Sequence, residues 1–239
     1  CKSFSKLVSK YHAFHKPSMT AEEGLHALTR AAVECITAEE PDWEFVAGRL
    51  YSFQNDLNIR RKMEGLQLHS LYDKLSYLTT EGYYGAYILE SYTKAEIDLA
   101  ETFMQPERDR LLTYSGLDLL LRRYTVRNFV HEQLETPQEM YLGIALHLAM
   151  RETQNRMDHV RAFYDMLSKQ QVSMATPTLA NARKPHHQMS SCFIDTVDDS
   201  LEGIYRSIAN FANVSKFGGG MGLYFGKVRA NGSDIRGYN

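Results

Sequence analysis

The chain has 239 residues, 44% of them hydrophobic and 23% charged, with 27 basic against 29 acidic side chains and a net charge of −2. That apolar share supports a packed core, and 15 Tyr with 11 Phe exclude a disordered polymer. There is no basic excess to neutralise phosphates, which argues against a nucleic-acid binder, and the longest mostly apolar stretch, residues 140–150, is too short to span a bilayer.

In chain order, the spacing predicts helix after helix as far as about residue 170. Thr20 with Glu23 forms a capping box, in which hydroxyl and carboxylate satisfy otherwise unpaired amides. Leu25, Leu28, Ala32 and Cys35 then share a helical face. Helices are predicted over 42–53, 71–78, 116–124 and 158–169. Thr93 with Glu96 repeats the box ahead of Ile97 and Leu99, and Thr136 with Glu139 adds Pro137 at the first helical position. Met140, Ile144 and Leu148 are expected on one face of that last helix. Pro177 and Pro185 should interrupt any helix between 169 and 190.

Beyond that boundary the pattern changes, and eight of the 15 glycines fall at Gly203 or later. Residues 191–197 read as a buried strand, and Asp198, Asp199 and Ser200 offer caps for a helix over 201–216. Gly218, Gly219 and Gly220 should stop that helix, and 222–228 form a second strand candidate. Strand, helix and strand in this order make a parallel, right-handed βαβ unit.

Few residues invite chemistry. Gly218 to Gly222 resemble a phosphate cradle in composition, but they follow a helix and enter a strand, the reverse of a phosphate loop. A helix stop with close backbone approach is the better account. Cys192 is either a small buried hydrophobe or a redox nucleophile needing a second cysteine or a base. Cys35 reads as core packing, and Cys1 is uninformative. The three cysteines form neither a disulfide framework nor a zinc site, which points to the reducing cytoplasm. His12 with His15 and His186 with His187 lack neighbouring ligands and read as solvated, so no metal site is expected. Tyr83, Tyr84, Tyr87 and Tyr92 should pack helices rather than stack bases. Asp199 caps a helix or joins Arg229 and Arg236, which can clamp an anion such as a triphosphate or form surface ion pairs.

Several motifs occur in one order with short gaps: Ser173-Met-Ala-Thr-Pro-Thr-Leu-Ala-Asn-Ala182, Ser190-Ser-Cys192, Asp199-Ser-Leu201, Gly218-Gly-Gly-Met-Gly222, Lys227-Val-Arg-Ala-Asn-Gly232 and Ile235-Arg-Gly237. This run closely resembles the large, catalytic subunit of class I ribonucleotide reductase. Residues 42–50 and 110–124 resemble the helical N-terminal region of the same subunit, and the likeness covers about residues 21–239.

The resemblance implies an α+β chain. Residues 1–20 are too few and too unlike to make a complete ATP cone, 21–170 form a helical domain, and 171–239 begin a ten-stranded α/β barrel. It implies reduction of ribonucleotides to deoxyribonucleotides by thiyl-radical chemistry. Cys192 resembles one of the two cysteines that supply the reducing equivalents and become a disulfide. Thr176 and Ser191 resemble substrate contacts. Asp199, Ser200 and Leu201 resemble part of the site for the deoxynucleotide effector, with Arg229 and Arg236 on its phosphates. The helix over 201–216 would pack on its twin in a homodimer through Ile204, Ile208 and Phe211. Implied partners are a small subunit carrying the metal-radical cofactor, thioredoxin or glutaredoxin as reductant, and nucleotides including ATP, with no nucleic acid and no membrane.

The resemblance puts the radical-bearing cysteine, its neighbouring Asn and Glu, and the partner of Cys192 in later barrel strands. The chain is therefore expected to be an opening segment of a longer subunit, active only with the rest of the barrel and the small subunit. The competing reading is a non-catalytic nucleotide-binding and dimerisation module, or one half of a split subunit.

Overall fold

A computed structural model describes residues 4–235. Cys1 and Arg236 lie outside the described residues. The chain divides into two compact units, one built from residues up to 173 together with 183–186, the other from 174–182 and from 187 onward.

The first unit is helical. Its elements are α1 (Phe4–His12), α2 (Ala21–Val33), α3 (Trp43–Gly65), α4 (Leu71–Thr80), α5 (Tyr87–Ser91), α6 (Lys94–Glu101), a 3₁₀ turn (Pro106–Leu111), α7 (Tyr114–Arg123), α8 (Pro137–Ala149) and α9 (Arg156–Ser168). The capping boxes at Thr20, Thr93 and Thr136 are all formed in both directions. A fourth, Ser70 with Asp73, opens α4, the shorter Asp carboxylate doing the work of Glu. Helix α3 runs well past residue 53 because its buried stripe, carried by the small or polar Gly48, Ser52 and Asn55, continues through Ile59 and Met63. Cys35 is fully buried, in the turn that follows α2 rather than on the helix itself.

Helix α8 is buried on nearly every side, Tyr141 and Leu142 as well as Met140 and Ile144, so it has no single apolar face. Its apolar run reads as one stripe in sequence, but neighbours surround it on all sides. Three of the expected tyrosines pack here as predicted. The Tyr84 hydroxyl donates to Glu135, Tyr92 donates to Leu146 O at 2.7 Å, and Tyr87 Oη lies 3.0 Å from His147 Nδ1.

At the centre of this unit Arg183 and Glu135 form an ion pair with neither side chain exposed. Arg183 Nε donates to Glu135 Oε1 at 2.6 Å, and Arg183 Nη2 donates to Tyr124 O at 2.7 Å. Val126 N donates to Glu135 Oε2 at 2.9 Å. Burial opposes ionisation of Glu135, but the adjacent Arg183 guanidinium holds its carboxyl below the usual range. Gly143 makes room for the arginine stem, since a Cβ there would stand 2.7 Å from Arg183 Cδ.

A second buried carboxyl has no cation. Asp109 is 5% exposed, and its Oδ1 accepts from Gln138 Nε2 at 2.6 Å. Burial pushes its pKa up to about 7, while burial also raises nearby Asp56 to about 6. A raised carboxyl pKa adds stability that is fully present below the unfolded value of 3.8 and is lost as pH rises through about 7. The isosteric Asp109→Asn keeps the acceptor for Gln138. It should stabilise the helical unit at pH 8 by up to on the order of 4 kcal/mol and flatten its pH dependence between about 4 and 8. Chemical denaturation at both pH values checks this, and an unchanged pH slope in the variant would contradict it.

The second unit holds α10 (Thr176–Asn181), β1 (Cys192–Thr196), α11 (Leu201–Lys216) and β2 (Gly220–Tyr224). Pro177 does not prevent a helix, because it stands in the first turn of α10, where no amide partner is lost. The sheet has two parallel strands in the register Cys192↔Gly220 through Thr196↔Tyr224. Strand β2 begins two residues before the expected 222, and the chain leaves it at Phe225. Among the described residues no helix is long and apolar enough to cross a membrane.

Candidate functional site

Side chains alternate across β1. Asp195 points to α11, where it accepts from Asn210, and the Phe193 ring lies close to the backbone of Gly219 at the helix end. Cys192 and Ile194 point the other way. Both are exposed, Ile194 by 88%, so the expected buried strand is half open: α11 covers one face, and among the described residues of this unit nothing buries the other.

Register defines what surrounds the thiol. Cys192 pairs with Gly220 and Ile194 with Gly222, on the same open face. A Cβ at Gly220 would meet only Ser191 O at 3.6 Å, and one at Gly222 only Phe193 O at 3.9 Å. Neither glycine is needed for packing within this unit, and both leave the backbone bare beside Cys192. The Ser191 hydroxyl lies 3.4 Å from Cys192 Sγ. Thr176, half-buried, opens α10 in the same unit.

Helix α11 starts on Ser200, whose Oγ accepts from Gly203 N at 3.0 Å. Asp199 is not the cap. Its carboxylate accepts from Arg229 Nε at 2.8 Å, and Arg229 also donates through Nη1 to Asp234 O at 3.0 Å. Asp199 and Arg229 thus meet at the helix start beside Ser200 and Leu201, the latter 74% exposed. Two of the roughly five guanidinium donors remain for an anion once Asp199 O also accepts from Nη2. Arg236, expected to join this group, lies outside the described residues.

The helix ends in a Schellman turn. Gly218 has φ +83, Gly218 N donates to Ser215 O at 3.0 Å and Gly219 N donates to Val214 O at 3.1 Å. These glycines therefore stop the helix, as expected. Among the described residues no group of three or more His, Cys, Asp or Glu is arranged to hold a metal ion.

Sequence reasoning missed two features here. The pairing of Cys192 with Gly220 becomes legible only when the two strands are set in register, because both alternate with period two. The clasp from Ser207 and Asn210 to Asp195 has a weaker trace, two polar residues about one turn apart on the face of α11 that meets the sheet.

Residues 110–187 match the family model for the ribonucleotide reductase all-alpha domain, and residues 190–239 match that for the ribonucleotide reductase barrel domain. The chain is 56% identical over 236 residues to the ribonucleoside-diphosphate reductase subunit alpha of Treponema pallidum (strain Nichols), covering 99% of this chain and 28% of that protein. It is 35% identical over 233 residues to the same subunit of Helicobacter pylori (strain ATCC 700392 / 26695), covering 93% and 27%. It is 30% identical over 240 residues to ribonucleoside-diphosphate reductase 1 subunit alpha of Escherichia coli (strain K12), covering 98% and 31%. The chain spans between a quarter and a third of the length of these relatives.

Proposed function

The chain belongs to the ribonucleotide reductase large-subunit family, matching its N-terminal portion, and on that premise we propose that it contributes a reducing thiol and an effector clamp to a ribonucleoside-diphosphate reductase. The observation that carries the reading is Cys192 on an uncovered sheet face, flanked in register by Gly220 and Gly222. A thiol there is open to a ribose from a side that no neighbouring β2 side chain fills.

The step assigned to Cys192 is a two-electron reduction. Its thiol and a second thiol from elsewhere in the subunit join as a disulfide, releasing two electrons and two protons. The substrate's 2′ hydroxyl leaves as water and a hydrogen takes its place on carbon. Ser191, with its hydroxyl against Sγ, and Thr176 orient the ribose by hydrogen bonds. The small subunit, when bound, would supply the radical chemistry through its metal-radical cofactor, and a thioredoxin or glutaredoxin would return the two thiols to the reduced state. Free thiols in this role suit the reducing cytoplasm.

Asp199, Ser200, Leu201, Arg229 and Arg236 are assigned to the deoxynucleoside triphosphate effector. In this assignment Asp199 orients the Arg229 fork, whose remaining donors meet phosphate oxygens. Of the three residues expected at a twin-helix contact, Ile208 is 50% and Phe211 44% exposed while Ile204 is half-buried; with Leu201 at 74% they give α11 an apolar outer face suited to a twin helix in a homodimer.

The test uses the full-length large subunit with its small subunit. Gly220→Val puts a branched side chain beside Cys192 at a position with ordinary room for a Cβ. Ribonucleotide reduction should fall by about 10²-fold or more while the subunit melts normally, because a misplaced substrate loses the proximity term. Unchanged turnover would remove the open-face reading.

A further inference from the structure

Helix α11 meets the sheet with little apolar surface. Its buried residues are Gly203 and Ser207, with Ile204 and Val214 half-buried beside them. Apolar contact of that size leaves a helix free to rotate or slide, since dispersion has no preferred direction. A polar clasp stands at the crossing instead. Asp195 of β1 accepts from Asn210 Nδ2 at 3.4 Å, and Ser207, which is 3% exposed, faces the same carboxylate and with Asn210 holds its pKa below the usual range. Thr196 N donates to its other oxygen at 2.8 Å, tying the carboxylate to its own strand. Two donors about a turn apart on one helix, converging on one carboxylate, fix both rotation and register.

The two elements joined in this way carry the two halves of the site. Helix α11 begins at Ser200 beside the Asp199–Arg229 pair, and β1 begins at Cys192. We infer that Asp195 is a positioning residue that couples the effector end of α11 to the strand bearing Cys192, so that a helix shift on effector binding is passed to the thiol. This rests on the effector reading of Asp199, Ser200, Leu201 and Arg229 given above. Asp195 acts through its contacts to α11 and not as a ligand contact in this proposal.

The experiment uses the full-length large subunit with its small subunit, and thymidine and deoxyguanosine triphosphates as probes. In Asp195→Ala, effector affinity and unstimulated turnover should stay within about twofold of the parent, while effector stimulation falls about fivefold or more. The exchange Asp195→Asn with Asn210→Asp restores an amide–carboxylate hydrogen bond with reversed polarity and should recover stimulation. Asn210→Ala is the milder second variant should Asp195→Ala fail to fold. Full stimulation in these single variants would overturn the inference. So would loss of stimulation that merely tracks a lower melting temperature, because that marks a structural role. The underlying effector reading is tested separately: Arg229→Ala should weaken triphosphate binding about 10-fold or more, and unchanged affinity there would sink that reading itself.

Discussion

Cys192→Ser in the full-length large subunit, assayed with the small subunit and a thioredoxin-type reductant, should lower deoxynucleotide formation by about a thousandfold or more. The substitution is nearly isosteric at an exposed position, so packing gives no reason for a loss. The chemistry does. A serine oxygen cannot form the disulfide that releases the two electrons, and the second thiol of the pair has no partner. Turnover at the parental rate would remove Cys192 from the reaction.

The second large effect is on stability. Glu135→Ala leaves the Arg183 guanidinium, which has no exposed surface, without its carboxylate. Breaking one side of such a pair costs about 3–5 kcal/mol, because the remaining charge stays buried. It also strands the Tyr84 hydroxyl and the amide of Val126. The double variant Arg183→Met with Glu135→Gln should cost less, since no net charge stays buried and the amide oxygen still accepts from Tyr84. Amide hydrogen exchange along α8 and residues 124–135 reads both. Single and double variants opening at equal rates would contradict the buried-charge account. The depressed carboxyl pKa adds a sign: this contribution is present above the unfolded value of 4.5 and is lost as pH falls through the folded one.

Local rules carried the helical part of the fold a long way. Thr20, Thr93 and Thr136 announce their helices because capping is a contact within four residues. Where burial rests on distant partners, sequence patterns mislead. Ser52 and Asn55 look like solvated residues yet continue the inner stripe of α3, and α8 looks amphipathic yet is enclosed. Arg183 and Glu135 are 48 residues apart, and neither carries a local sign that both are fully buried.

The site shows the same division. Ser200 was legible as the cap of α11, and Cys192 stands at the start of β1, within the strand expected from the sequence. The open face of β1 was not legible, because an alternating apolar strand reads as buried when the rest of its sheet is assumed. Asp199 offered two roles in sequence, cap and anion-site partner. The hydrogen bond to Arg229 decides against the cap, since Ser200 already fills that position.

The central step proposed for this chain is oxidation of Cys192 as product forms. A single turnover of the full-length large subunit with its small subunit, without external reductant, followed by rapid alkylation and peptide mass spectrometry, tests this directly. Cys192 should be recovered in a disulfide with a second cysteine of the same subunit, in proportion to the deoxynucleotide made. Recovery of Cys192 as the alkylated free thiol after product has formed would contradict it.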